Sequence, residues 1–543
     1  MDRQSLLAFL LIGLIIVFYP WYMSIVAPTA LNEQVANIEQ YQDETITPTT
    51  TIKQPSSFKK GDRPLKTVRV TNGLYDLELS NKSGGSFSKY QLFNYVDHED
   101  RLVSLISTDN TNNMVLSFIS IDGDKIILDN NWNLKENISS LNVERGKQAL
   151  TFNTTHLGQE ITKTYTFYPD SYSIDVDISF SSPSKFISRN QYSLSWNGGL
   201  PPTEKNVKND YMFFEGYASL GGERMGSKPK KGKPSTETQK GSTLWSAIKT
   251  KYFIAAIVPA EPAIGATVTS ELVGQMPVYN TELLLSTNSS NAFTSYIGPL
   301  NYESLRAFNV GLEKNVDLGW ALFRPIGQVI SWLLTKMHAI IPNYGLVVIL
   351  FAVLIKLLLN PLTVKTFESS RKMQELAPQI QKLKEKYKND PQKMSRAQME
   401  LYRNSGANPM GGCLPMLIQM PILVSVFSIF RSKIEFRGAP FFGWISDLSV
   451  PDTLVEVAGF PINILPVLMG STMFIQQKMM AAPNADANQK TMMYVMNVFF
   501  LFLFYSFPSG LNLYYFVFNL LSIIQQKYFM PKPAVAVAGT SKK

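Results

Sequence analysis

The stretch YGLVVILFAVLIKLLLNPLT, Tyr344–Thr363, decides how this chain is read, because one lysine is the only charge in an otherwise largely apolar run. It has the length of one bilayer crossing, which takes roughly 20 residues of helix. Lys356 lies about 12 residues past the start of the run, roughly 18 Å along the axis at about 1.5 Å per residue. That depth is beyond the midplane and well inside hydrocarbon, where an ammonium costs roughly 2.5–3.5 kcal/mol. Whatever solvates Lys356 therefore bears on function. The group either faces a hydrated cavity among spans, snorkels to the interface, or pairs with a lipid phosphate.

Around this stretch the composition splits. The 543 residues are 45% apolar with a net charge of +9, but residues 28–318 are polar, whereas the first 27 and most of those after 325 are rich in Leu, Ile, Phe and Met. The expected class is a multi-pass α-helical membrane protein carrying one large soluble domain. Cys413 is the only cysteine and lies in an apolar segment, so disulfides and redox chemistry are not expected. The three histidines, His98, His156 and His338, are far apart. No metal, no cofactor and no catalytic residue is expected.

Residues 1–27 read as an uncleaved signal anchor. The apolar run Ser5–Ala27 is longer than a secretory core, and Pro28 makes a poor cleavage context. Residues 28–66, rich in Thr, Gln and Pro, read as a linker. Over 67–318 the pattern has period two. Val68, Val70, Leu77 and Leu79 flank Asn72-Gly73, and Ile174, Val176, Ile178 and Phe180 alternate with polar residues, which predicts an antiparallel β-sandwich. The segment Gly221–Pro234 reads as a solvated basic loop.

Residues 319–341 place Ile326, Ile330, Leu333, Met337 and Ile341 on one face, an interfacial amphipathic helix. A core over 342–530 then holds spans at about 344–363, 411–431, 459–479, 491–507 and 511–529, the last two joined by a tight turn at Pro508-Ser509-Gly510. With the anchor these make six spans. The loop 364–410 carries Arg371, Lys372, Lys382, Lys384, Lys386 and Lys388 among its cations and reads as cytoplasmic. Both termini, including the tail 531–543, are then cytoplasmic and the β domain lies outside.

Within 364–410, Met373, Leu376, Ile380, Leu383 and Tyr387 recur at coiled-coil spacing, Pro391 enforces a turn, and Met394, Ala397 and Leu401 offer a facing seam. This predicts a basic helical hairpin. It is either a solvated connector that fixes topology or a docking arm for an incoming chain, a ribosome or lipid head groups. In the spans, Gln419, Gln476, Gln477, Asn497, Asn512, Asn519, Tyr514 and Tyr515 put polar groups at membrane depth. Singly, each reads as helix–helix glue. Together with Lys356 they point to a wet cavity.

At these residues the chain resembles the YidC-type membrane protein insertases of the Oxa/Alb family, in the Gram-negative form with a large periplasmic domain. The motifs are the cation of the span after the β domain, NPLT (Asn360–Thr363), the cytoplasmic hairpin, NPMGGCLPMLIQMP (Asn408–Pro421), LPVLMGSTMFIQQKM (Leu465–Met479) and FPSGLNLYYFVFN (Phe507–Asn519). The resemblance covers 319–529 well and the N-terminal region more loosely. It implies a five-helix core around a hydrophilic groove in the bacterial inner membrane, open to the cytoplasm and to lipid. Lys356 takes the place of the groove cation, Tyr515 matches a substrate-contacting position, and Gln476 or Gln477 matches a groove amide. Implied partners are nascent membrane proteins, Sec translocon components, membrane lipids and a ribosome, with no specific nucleic-acid binding. The family's cation is commonly arginine. A lysine, unlike an arginine, can shed its proton when desolvated. The short tail holds few lysines, which argues against the long basic ribosome-binding tail of some relatives.

Such a protein needs no chemical step. An inserting span gains roughly 0.3–0.6 kcal/mol per Leu, Ile or Phe, and the barrier is carrying its polar flank through hydrocarbon. A secondary transporter built on an intramembrane lysine is the alternative, but no related halves are visible. A Ser–Lys protease is disfavoured because Ser509 and Lys356 fall toward opposite membrane faces.

Overall fold

A computed structural model describes residues 64–106, 112–361, 363–364, 368, 372, 375–388, 390–406, 414–480 and 487–529. The expected anchor, nearly all of the linker, the tail and Arg371 lie outside the described residues.

Strict alternation builds the N-terminal half. Ile174 and Val176 are fully buried, Ile178 nearly so, while the intervening Asp177 is exposed. A five-stranded sheet runs Leu102–Ser104, Ser86–Val96, Tyr75–Ser80, Thr67–Thr71, Ser140–Asn142. A larger, 14-stranded sheet extends from Lys125–Ile127 at one edge to Asn133–Leu134 at the other. They close on one core, in which Phe87 packs edge-on to Tyr165 with ring centroids 6.0 Å apart and also contacts Trp196. Tyr165 Oη donates to the Gly85 carbonyl at 2.7 Å, and Tyr90 Oη to that of Ile297 at 2.9 Å. Gly85 has φ +103°, and a Cβ there would strike the Tyr165 ring, so this crossing requires glycine. Pairing is antiparallel except where Thr67–Thr71 meets Ser140–Asn142 in parallel.

The expected loop at Gly221–Pro234 is partly sheet. Glu223–Gly226 pairs with Glu215–Leu220, Met225 is buried, and the Arg224 guanidinium lies 4.6 Å from the Tyr217 ring centroid. The basic composition hid a short strand whose apolar member is a single methionine.

Lys163 is fully buried among these strands, with Nζ donating to the carbonyls of Ser83 (2.8 Å) and Met114 (2.7 Å) and lying 5.4 Å from the Trp132 ring. Burial lowers its pKa from 10.5 to about 7. Between pH 7 and about 10 the unfolded chain binds a proton that the native chain lacks, so stability rises with pH across that window. Above about 10 the slope reverses, because burial raises the phenols Tyr75 and Tyr165 and the unfolded chain loses their protons first. Hydrogen exchange of the Gln159–Phe167 strand in the full chain is expected to slow from pH 7 to 9 once the intrinsic rate is divided out. Unchanged protection would remove Lys163 as the source.

The C-terminal half is helical: α1 Arg324–His338, α2 Tyr344–Leu358, α3 Ala377–Lys386, α4 Pro391–Asn404, α5 Leu414–Ser432, α6 Ile464–Met480, α7 Ala487–Phe504 and α8 Ser509–Phe529. No helix among the described residues is long and apolar enough to cross a membrane. The physical reasons differ. The 15-residue α2 spans roughly 22 Å at about 1.5 Å per residue, short of a roughly 30 Å hydrocarbon core. Its helical bonding resumes beyond a turn, with Leu359 N donating to the Ile355 carbonyl and Thr363 N to that of Leu359. Helix α5 carries Pro421 internally, and α8 mixes amides into its apolar run. The segment expected as a span from 459 starts instead as a β-hairpin, Thr453–Val457 with Phe460–Asn463, and α6 begins only at Ile464.

On α1 the buried stripe is Gly327, Ile330, Ser331 and Leu334. It is offset from the expected Ile326 and Leu333 because Gly327 lets the Leu318 carbonyl approach where a Cβ would collide. In the 364–410 region, Asp390 caps α4 by accepting from Lys393 N at 3.0 Å. Leu376 and Tyr402 are buried against Ile380 and Leu401, a smaller seam than the spacing predicts.

The halves are joined by a built interface. Arg437 Nε donates to Glu204 Oε1 at 2.8 Å, Nη1 to the Val96 carbonyl at 2.7 Å and Nη2 to the Thr203 carbonyl at 3.4 Å. Tyr252 Oη donates to the Arg431 carbonyl at 3.3 Å, and Ser432 Oγ to that of Asp317 at 2.9 Å.

Candidate functional site

Helices α2 and α8 run side by side in the same direction, and their seam changes character along its length. Asn343 opens α2 by accepting from Leu346 N at 3.0 Å. Phe351 then meets the Tyr514 ring at 5.7 Å. One turn further Lys356, 8% exposed, donates from Nζ to Ser522 Oγ at 2.7 Å and sits 5.0 Å from the centroid of Phe518. Ser522 in turn donates to the Phe518 carbonyl at 2.8 Å. Beyond it Gln525 Nε2 bonds Asn360 Oδ1. The seam is aromatic at its start, cationic in the middle and amidic at its end.

Lys356 forms no ion pair among the described residues. An ammonium held by one neutral hydroxyl and a ring face keeps donor capacity that a carboxylate would satisfy better, since hydrogen bonds between charged groups are about twice as strong as neutral ones.

A second polar group lies where α5 meets α8. Gln419 is within polar reach of both Tyr514 and Tyr515, a loose cluster in which Gln419 Nε2, Tyr514 Oη and Tyr515 Oη are buried without a well-formed hydrogen bond. Buried polar atoms without partners are uncommon and mark water or ligand sites. The other expected amides divide. Asn512 Nδ2 donates to the carbonyls of Phe504 (3.2 Å) and Phe507 (3.3 Å), tying the tight turn before α8. Gln477 Oε1 accepts from Asn497 Nδ2 at 2.6 Å, joining α6 to α7, and Gln476 is half-buried. Lys372, Lys382, Lys386 and Lys388 are exposed and Lys384 half-buried.

Sequence reasoning missed Ser522 and Gln525, and it placed Asn360 and Phe518 in motifs without assigning either to the seam. The available signal was the four-residue spacing of Tyr514, Phe518 and Ser522 on one helix face. No group of three or more His, Cys, Asp or Glu among the described residues is arranged to hold a metal.

These observations define a class: a β-sandwich locked onto a helical bundle that buries a cation near loosely held polar groups and leaves apolar side chains such as Leu350, Leu357, Val498 and Phe502 exposed. Residues 67–333 match the family model of the YidC periplasmic domain, and residues 336–534 that of the 60Kd inner membrane protein. The Chlorobium limicola membrane protein insertase YidC is 33% identical over 97% of this chain and 94% of its own length. That of Chlorobium phaeovibrioides is 32% identical over 100% of this chain and 99% of its own. The chain belongs to the YidC family, inner membrane proteins with a periplasmic domain. A crystal structure of an active YidC insertase aligns over 86% of this chain and 93% of that one, at 19% identity and a TM-score of 0.36.

Proposed function

We propose that this protein inserts inner-membrane proteins and helps them fold, alone or with the Sec translocon, through a hydrophilic groove open to the cytoplasm and without nucleotide hydrolysis. The groove is lined by Lys356, Gln419, Gln476, Gln477, Asn512, Tyr514 and Tyr515. The reading adopts an anchor at 1–27, a linker at 28–66, a periplasmic domain at 67–318, an interfacial helix at 319–341, the insertase core at 342–530 and a tail at 531–543, with six spans and both termini cytoplasmic.

The observation that carries it is Lys356, whose Nζ rests on the neutral Ser522 hydroxyl 2.7 Å away. The carboxylate of an incoming acidic flank exchanges that weak partner for itself. The Tyr514 and Tyr515 phenols and the Gln419 amide, loosely held to one another, solvate the flank's backbone, while the apolar segment slides along lipid. Partitioning into the bilayer supplies the driving force, so lowering the barrier for the flank is sufficient. Nascent chains first meet the basic hairpin of α3 and α4, which also approaches lipid head groups or a ribosome.

Depleting the protein is expected to leave small single-span proteins outside the bilayer, read by their protection from external protease. Normal insertion of every such protein under depletion would overturn the reading.

A further inference from the structure

The hairpin Thr453–Asn463 has an apolar face that the described residues leave largely uncovered. Cross-strand pairs Val455 with Ile462 and Val457 with Phe460 put four apolar side chains on one face, and Glu456 opposite Pro461 falls on the other. All four are exposed, Val457 to 57% and Phe460 to 58%. The loop between the strands, Ala458-Gly459, has positive φ at both positions (51° and 79°), the conformation of a tight two-residue hairpin turn. A lone two-stranded hairpin is marginal in water at best, and this one presents its apolar side outward.

Its root is firm. Asp452 Oδ2 accepts from Ile464 N, Leu465 N and Trp444 Nε1, at 3.0, 2.7 and 3.0 Å. Asn463 Nδ2 donates to the Tyr505 carbonyl at 2.7 Å, Tyr505 Oη to that of Pro461 at 2.6 Å, and the Phe460 ring stacks on Tyr505 at 5.6 Å. The hairpin thus rises from the first residues of α6 and the end of α7. Those helices also turn apolar side chains outward, with Val467 and Leu468 exposed on α6 and Val498 and Phe502 on α7. Phe460 stacks on Tyr505, three residues past Phe502, and Ile462 lies five residues before Val467, so the hairpin face borders that apolar wall at the helix ends.

We infer that the Thr453–Asn463 hairpin is a lipid-binding element whose Val455, Val457, Phe460 and Ile462 face sits at the acyl–headgroup boundary of the periplasmic leaflet. It anchors the extracytoplasmic ends of α6 and α7 against the bilayer. The inference rests on reading α6 and α7 as membrane spans. An exposed apolar patch continuous with a lipid-facing wall is what such an anchor requires. Glu456, on the opposite face, holds the hairpin at the surface and prevents deeper entry.

Spin labels test this in the full chain, purified and reconstituted into phosphatidylethanolamine/phosphatidylglycerol nanodiscs. Cys413, the only cysteine, is first replaced by serine. Val455→Cys and Val457→Cys labels are expected to collide several-fold more often with oxygen than with a water-soluble nickel chelate. A Glu456→Cys label is expected to show the reverse. Leu468→Cys reports the wall of α6, and Glu237→Cys the soluble domain. Oxygen-rich Leu468 with chelate-accessible Val455 and Val457 overturns the anchor alone. Chelate-accessible Leu468 overturns the span reading and the anchor with it. Labels at Val455 and Val457 shielded from both reagents would mean that protein covers the face, and would also overturn the inference.

Discussion

Replacing Lys356 by glutamate is expected to reduce insertion of substrates with acidic flanks tenfold or more while leaving the fold intact. Two opposite charges at about 4 Å interact by about 4 kcal/mol at an effective dielectric of about 20. Reversing the sign turns that attraction into repulsion, and a net change of only about 1.4 kcal/mol in the barrier is already tenfold. The fold tolerates the change because Ser522, now the hydroxyl that Lys356 bonds at 2.7 Å, can donate to a carboxylate. Lys356→Met separates charge from shape, since methionine still packs on Phe518. Its insertion defect should be intermediate and confined to acidic-flanked substrates. Lys356→Arg keeps the charge and should retain most activity. Insertion is read as protease protection of a reporter in vesicles carrying each variant. Wild-type rates for Lys356→Glu with an acidic-flanked reporter would refute the electrostatic role.

Arg437→Ala should loosen the periplasmic domain from the helical core. The guanidinium is 8% exposed, its partner Glu204 14%, and its other donors reach the carbonyls of Val96 and Thr203. The ring faces of Tyr252 and Phe253 lie 5.8 and 5.7 Å away. Removing one member of such a pair leaves a buried charge uncompensated, at about 3 kcal/mol or more. Hydrogen exchange at residues 96 and 203–204 should accelerate about 100-fold, at about 1.4 kcal/mol per decade. Arg437→Lys should recover only part of the protection, because an ammonium cannot reproduce three divergent bonds. Unchanged exchange in Arg437→Ala would show that the junction is held elsewhere.

How much of this was legible in the sequence depends on the distance over which each feature is encoded. Alternation in SIDVDISF and TVRVT is local, and the strands follow it. Lys356 announced itself because its solvation penalty is independent of its neighbours. Its partner did not, because Ser522 is 166 residues away and is a common small residue within an apolar helix. The Arg437 junction is less visible still, joining groups 233, 234 and 341 residues apart. The second strand of the hairpin, Phe460–Asn463, falls inside the span expected at 459–479, since FPINILPVLMG reads as one apolar run and a short run does not distinguish strand from helix. The Gln419, Tyr514 and Tyr515 grouping was half visible. Each residue stood out as polar in an apolar run, but only packing brings α5 against α8.

The helices of the core are not equally bound to one another. Helix α8 is bonded to α2 through Lys356–Ser522 and Asn360–Gln525, and α6 to α7 through Gln477–Asn497. Along the border of α5 and α8, by contrast, Gln419 Nε2 and the Tyr514 and Tyr515 phenols are buried without a well-formed partner, held only loosely to one another. Parting the bundle there sacrifices ring and chain packing and little strong hydrogen bonding, and each polar group exposed gains a partner from whatever enters. The bundle therefore has a mechanically compliant edge built into an otherwise stiff frame, and that edge is the direction in which it yields first.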